Sequence, residues 1–260
     1  MTAPPEIVVH ASPDLLAKAV AARLVTRLVD AQAARGSASV VLTGGGVGTA
    51  VLRELRDNPA RDAVDWRRVD VWWGDERFVP ADDKDRNDLQ AREALLDAVP
   101  VDPARVHPFP SADGPSGDDP EAAAEGYAAE LAAATHPEDH GDVPRFDVLL
   151  LGVGEEGHIA SIFPEMPAVY DDRSVVAVRG SPKPPPTRLT LTFRAVNAAT
   201  EVWLVAAGAA KAPAVALALG GAGRNQVPAA GARGRTRTLW LLDRAAANRL
   251  PPGLARLPLA

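Results

Sequence analysis

The chain contains no cysteine. That excludes disulfides, thiolate nucleophiles and cysteine-bound zinc. It also lacks a basic excess: 28 Lys and Arg against 34 Asp and Glu leave a net charge of −6, the wrong sign for a typical nucleic-acid binder. An anionic small substrate remains compatible, because local cations can override the global sign. No stretch supplies the roughly 18 uncharged apolar residues of a membrane span; the Ala-Val-rich segment 205–219 is interrupted by Lys211 and Pro213. Met1 to Glu6 show no basic region followed by an apolar core, so no secretory signal is expected. There is no internal repeat, no Gly-Lys-Ser/Thr phosphate loop and no G-x-S-x-G nucleophile elbow. The histidines include no pair at helical metal-ligand spacing. A cytoplasmic protein with no nucleic-acid partner, no membrane partner, no metal and no cofactor is expected.

What is present is an alternation of strand-type and helix-type segments over 260 residues, enough chain for a substantial core. Strands are expected at Ile7–Val9, Ser39–Leu42, Val69–Trp73, Val148–Leu151, Ser174–Val178, Leu189–Phe193, Val202–Val205 and Thr238–Leu242. Ser12-Pro13-Asp14 starts a helix that ends near Gly36, with Ser12 as cap and Pro13 in the first turn. Further helices are expected through Val51, Leu52 and Leu55, from Asp88 to Leu96, and from Glu121 to Ala134. Residues 108–120, 136–144 and 180–186 read as loops, the last stiffened by prolines. The alternation predicts an α/β fold, a Rossmann-like mainly parallel sheet with helices on both faces, with residues 1–260 forming one domain.

In such sheets ligands bind beyond the carboxyl ends of strands. Thr43-Gly44-Gly45-Gly46, Gly74-Asp75-Glu76-Arg77, Gly152 to His158, and Gly208 with Lys211 each follow a strand, so they are expected at one edge. The most informative is Gly152-Val153-Gly154-Glu155-Glu156-Gly157-His158. Its glycines admit close backbone approach, and a following helix start would offer N–H groups to an anion. His158 changes charge near neutral pH. The G-x-G-x-x-G spacing matches a dinucleotide fingerprint, but Glu155 and Glu156 sit where a pyrophosphate would be repelled. Asp171 and Asp172 precede the next strand, whereas the fingerprint acid ends it. A catalytic loop is the better reading. His10, His107, His136 and His140 lie at strand ends or in polar loops and read as structural.

Gly44 and Gly45 suit a backbone phosphate cradle, and Arg77 a planar fork for phosphate. Asn87 stands in a polar loop nearby, and Arg188 follows three prolines. Lys211 opens a helix, where a cation opposes the dipole unless an anion is close. The residues together describe a small phosphorylated ligand beside a histidine–carboxylate pair, with an activated water as nucleophile.

These blocks, in order, resemble those of the 6-phosphogluconolactonases. The resemblance runs through Leu42-Thr43-Gly44-Gly45-Gly46, Trp73 to Pro80 with Arg86-Asn87, and Phe146-Asp147 to Phe163-Pro164. It continues through Ser181 to Pro185 with Arg188 to Thr192, and Gly208 with Lys211. Glu156 departs from the aspartate common at its position, and the added methylene shifts the carboxylate by more than about an ångström. The resemblance implies hydrolysis of 6-phospho-D-glucono-1,5-lactone, a sugar-phosphate lactone, in the oxidative pentose phosphate pathway. It implies that His158 activates water or returns its proton, and that Glu156 and Asp75 orient His158 or bind hydroxyls. Gly44, Gly45, Arg77, Asn87, Arg188 and Lys211 would hold the substrate, and amides near Gly154 and Gly157 would receive the oxyanion. A monomer or weak homo-oligomer is expected. The alternatives are a sugar-phosphate isomerase or deaminase of the glucosamine-6-phosphate type, a non-catalytic sugar-phosphate sensor, and a nicotinamide-dependent reductase.

Overall fold

A computed structural model describes residues 4–137, 139, 141–251 and 254. His140, read above as structural, lies outside the described residues. In chain order the strands and α-helices are β1 (Glu6–His10), α1 (Pro13–Arg35), β2 (Ala38–Leu42), α2 (Gly45–Arg56), β3 (Val69–Trp73), β4 (Asp75–Arg77), α3 (Asn87–Ala94), α4 (Pro120–Ala133), β5 (Val148–Gly152), β6 (Val175–Val178), β7 (Arg188–Leu191), α5 (Phe193–Val196), β8 (Glu201–Ala206), α6 (Ala212–Leu219) and β9 (Arg237–Asp243).

Local chemistry explains several boundaries. Ser12 accepts a hydrogen bond from the Leu15 amide at 3.2 Å, Pro13 opens α1, and Gly36 closes it at φ 81°. That is the serine start and left-handed glycine stop read from sequence. The four residues Val148 to Leu151 are buried, as a strand covered on both faces requires.

Six strands form a parallel sheet in the order β1-β9-β8-β5-β2-β3. Helix α1 packs on β1, β2 and β9, and α2 on β5 and β8. The fold is Rossmann-like α/β, with a mainly parallel sheet flanked by helices. A second, three-stranded antiparallel sheet has the order β4-β7-β6, and α4 packs against β6 and β7.

Three expectations are corrected. Asp75 to Arg77, expected only as a charged cluster following a strand, form strand β4 and pair with β7. Phe193 opens α5 under a Thr192 cap instead of ending a strand. The α3 helix stops at Ala94 and tightens into a 3-10 turn at Leu96–Ala98.

Register places the site. Leu42 pairs with Trp73, Val41 with Leu149, and Gly152 with Val205. The carboxyl ends of β2, β3, β5 and β8 therefore share one edge. From β2 the chain moves outward to β3, then returns to β5 on the other flank of β2. That reversal is a topological switch point, where a crevice opens. Among the described residues, no helix is long and apolar enough to cross a membrane.

Candidate active site

The turn after β2 is shaped by close approach. A Cβ on Gly44 would lie 1.8 Å from the Asn87 Oδ1 atom, and Gly45 sits at φ 78°. Gly44 caps α2 without a side-chain hydrogen bond, so no side chain caps the first-turn amides at the crevice. Thr43 Oγ1 accepts from the Gly152 amide at 3.1 Å, tying the ends of β2 and β5 together.

The loop after β5 carries His158. The Gly154 amide donates to the His158 carbonyl at 2.9 Å, and the Gly157 amide donates to the Gly154 carbonyl at 3.1 Å. Those two amides, expected to receive an oxyanion, are engaged inside the loop. No helix follows: the chain passes through an Ile159–Ile162 bridge and turns before the short 3-10 segment Pro167–Val169. The dinucleotide fingerprint therefore lacks the helix it needs. A Cβ on Gly154 would stand 2.0 Å from His158 Nδ1, so glycine there lets the loop close over the imidazole.

His158 Nδ1 lies 3.1 Å from Glu156 Oε1, a close contact off the angle of an aligned hydrogen bond. The other Glu156 oxygen lies 3.2 Å from Lys183 Nζ. Burial holds the imidazole below its ordinary value, against the opposing pull of Glu156. That direction favours the neutral imidazole near pH 7. Burial acts to raise Glu156, but its own amide, His158 and Lys183 together hold it below the ordinary carboxylate range. The Phe163 ring packs on His158 with centroids 4.5 Å apart.

The β3–β4 junction supplies a buried polar wall. Asp75 Oδ2 accepts from the Ser161 hydroxyl at 2.6 Å, and Asp75's backbone carbonyl accepts from Asn87 Nδ2 at 2.9 Å. Asp75 acts on His158 through charge, with its side chain committed to Ser161. Arg77 Nη1 donates to the Asn87 Oδ1 atom and to the Asp85 carbonyl, both at 2.6 Å. Asn87, expected in a loop, opens helix α3 and is buried.

Arg188 is buried at the start of β7. It donates to the carbonyls of Lys183, Pro184 and Pro185 at 2.9–3.2 Å, and its Nη1 lies 3.9 Å from Asp75. It thereby fastens the proline loop that carries Lys183. Lys211 precedes α6, with Nζ 4.0 Å from Glu155.

A cavity of about 580 Å³ at this edge is lined by Gly44, Gly45, Asp75, Arg77, Asn87, His158, Arg188 and Lys211. That volume suits one small ligand. Glu156 is not among the lining residues and meets the cavity through its contact with His158. The structure thus brings the sequence-predicted residues together. Sequence reasoning missed Lys183 and Ser161 as site members, although both stand inside the recognised blocks. Among the described residues, no group of three or more His, Asp or Glu is arranged to hold a metal ion. The other described histidines lie elsewhere. His107 stacks on Trp72 at 3.8 Å between Asp70 and Glu130, near the opposite end of β3. His10 ends β1 opposite Asp243.

Residues 11–240 match the family described as glucosamine-6-phosphate isomerases/6-phosphogluconolactonase. A 6-phosphogluconolactonase of Streptomyces coelicolor is 62% identical over 255 residues, covering 98% of each chain. One from Mycobacterium tuberculosis is 53% identical, covering 92% of this chain and 95% of its own. Among solved structures, the 6-phosphogluconolactonase of Trypanosoma brucei aligns with a TM-score of 0.81 at 31% identity, over 95% of this chain and 99% of that one. A monomeric glucosamine-6-phosphate deaminase shares the fold, with a TM-score of 0.77 at 20% identity over 94% of this chain and 99% of its own.

Proposed function

The chain belongs to the glucosamine-6-phosphate isomerase/6-phosphogluconolactonase family, and on that premise we propose that it is a 6-phosphogluconolactonase. It hydrolyses 6-phospho-D-glucono-1,5-lactone to 6-phospho-D-gluconate, a step of the oxidative pentose phosphate pathway. The observation that carries this reading is a neutral, largely buried imidazole beside a carboxylate, in a cavity shared with Arg77, Lys183, Arg188 and Lys211. Those cations reverse the global charge locally, which favours an anionic substrate. The relatives named 6-phosphogluconolactonase support the choice of lactone.

With its Nδ1 proton turned toward Glu156, His158 keeps Nε2 as the basic nitrogen. Nε2 takes a proton from water as the water oxygen attacks the lactone carbonyl carbon. The tetrahedral intermediate collapses with cleavage of the bond to the ring oxygen, and the imidazolium returns its proton to that oxygen. Such general acid–base help is worth about 10²–10⁴ in rate. Glu156 stabilises the transient imidazolium, and Asp75 adds to the same field. Gly44 and Gly45 amides, with Arg77, Asn87, Arg188 and Lys211, hold the phosphate end. The continuous core from Leu16 to Ala246 supports treating the chain as one α/β unit.

The test is hydrolysis of freshly generated lactone, corrected for the spontaneous reaction. Enzyme-dependent turnover is expected, with no ammonia released from glucosamine 6-phosphate. Binding of 6-phosphogluconate without turnover would instead favour a sensor.

A further inference from the structure

Between two cavity-lining residues of β4 stands one that never reaches the cavity. Asp75 and Arg77 face the ligand side, whereas Glu76 points inward and is fully buried. A buried carboxylate needs several donors, and Glu76 has them. Its Oε1 accepts from the Arg77 amide at 2.8 Å and the Asn87 amide at 2.7 Å. Its Oε2 accepts from the Asp88 amide at 2.9 Å, with Arg86 Nη2 at 3.8 Å. Two of those amides belong to the first turn of α3, whose own cap residue, Arg86, makes no capping side-chain hydrogen bond and donates instead to the Phe109 carbonyl. Glu76 therefore caps α3 from another strand.

The consequence falls on the cavity wall. Asn87, pinned at its amide by Glu76, places its Oδ1 against Arg77 Nη1 and its Nδ2 against the Asp75 carbonyl. The same Oδ1 fills the space that glycine leaves at position 44. We propose that Glu76 is a positioning residue for the anionic end of the substrate, holding Arg77 and Asn87 in their binding arrangement only while its carboxylate is ionised. The proposal rests on the phosphorylated-substrate reading above.

A protonated Glu76 would offer a hydroxyl where three backbone donors converge, and one contact would be lost. Burial pushes Glu76 up to about 7, against Arg86 and the three amides, so the loss falls in a working pH range. The charged and titratable groups around it are Asp75 and Arg77 on its own strand, Arg86 and Asp88 at α3, Arg188 on β7, and the Tyr127 phenol of α4. Burial holds that phenol neutral.

The experiment compares wild type with Glu76→Gln, measuring 6-phosphogluconate affinity by calorimetry at pH 8 and pH 6. The ratio of the two dissociation constants cancels the titration of the ligand and of His158. The expected ratio is about tenfold at pH 8, the loss of one charge-assisted contact, and falls toward one at pH 6. A ratio near one at both pH values, or a ratio unchanged by pH, overturns the proposal, because a purely structural cap would not follow Glu76 ionisation. Should Glu76→Gln fail to fold, the amide resonances of Arg77, Asn87 and Asp88 in ligand-free wild type carry the test. They are expected to shift together with one midpoint near 7; independent shifts or none overturn the proposal. Lactone turnover by the same wild-type preparation separates the two failures: its absence counts against the lactonase reading, while turnover with a pH-independent ratio counts against Glu76.

Discussion

Glu156 reaches two side-chain nitrogens at once, His158 Nδ1 at 3.1 Å and Lys183 Nζ at 3.2 Å. An aspartate, shorter by about 1.5 Å, would have to release one of them unless the loop moved. Glu156→Asp is therefore expected to lower kcat about tenfold in lactone hydrolysis, within the range of one positioned acid–base partner. Glu156→Gln removes a charge that favours imidazolium, so the acid limb of its kcat/KM profile should move to lower pH while the plateau falls. A limb that stays in place would show that Glu156 does not act on His158. Lys211→Ala should raise KM about tenfold with kcat little changed, as expected when ground-state and transition-state binding fall together. Calorimetry with 6-phosphogluconate checks it, and unchanged affinity would move the phosphate elsewhere. At this scale the loud residues were legible: glycines beside a histidine and carboxylates announce a site. Lys183 and Ser161 were quieter. Each becomes a site member only when β7 runs back beside β4, a pairing no local pattern encodes.

Element boundaries followed sequence where a cap or a glycine set them. Ser12→Ala should cost about 1 kcal/mol, read as a fall of roughly 2–4 °C in Tm. Strand β4 escaped notice because Asp75-Glu76-Arg77 shows neither apolar alternation nor β-branched residues. Its strand character comes from pairing with β7, and its buried glutamate from donors at the start of α3. The packing of α4 against β3 has its own pH signature. Burial acts to lower His107, but Asp70 and Glu130 overcome it and raise the imidazole to about 9. A raised histidine gives stability that is fully present below its ordinary value near 6.5 and lost as pH rises through about 9. His107→Gln should therefore destabilise the protein more at pH 7 than at pH 10, judged by urea midpoints. An equal loss at both pH values would assign His107 a packing role alone.

For the molecule as a whole, the α/β class and the edge that holds the candidate site were readable from alternation and the carboxyl-end rule. Strand order was not. Periodicity shows that a segment is a strand, but not that β5 lies beside β2 or that β9 separates β1 from β8. That order is what converts glycine loops far apart in sequence into one crevice at the switch point. The proposed chemistry of the crevice depends on a neutral base at His158. The direct measurement is turnover of fresh 6-phosphogluconolactone by His158→Ala, alongside its circular dichroism and its affinity for 6-phosphogluconate. In this variant kcat is expected to fall at least about a hundredfold, with fold and product affinity close to wild type. Near-normal turnover by the folded variant would contradict that expectation.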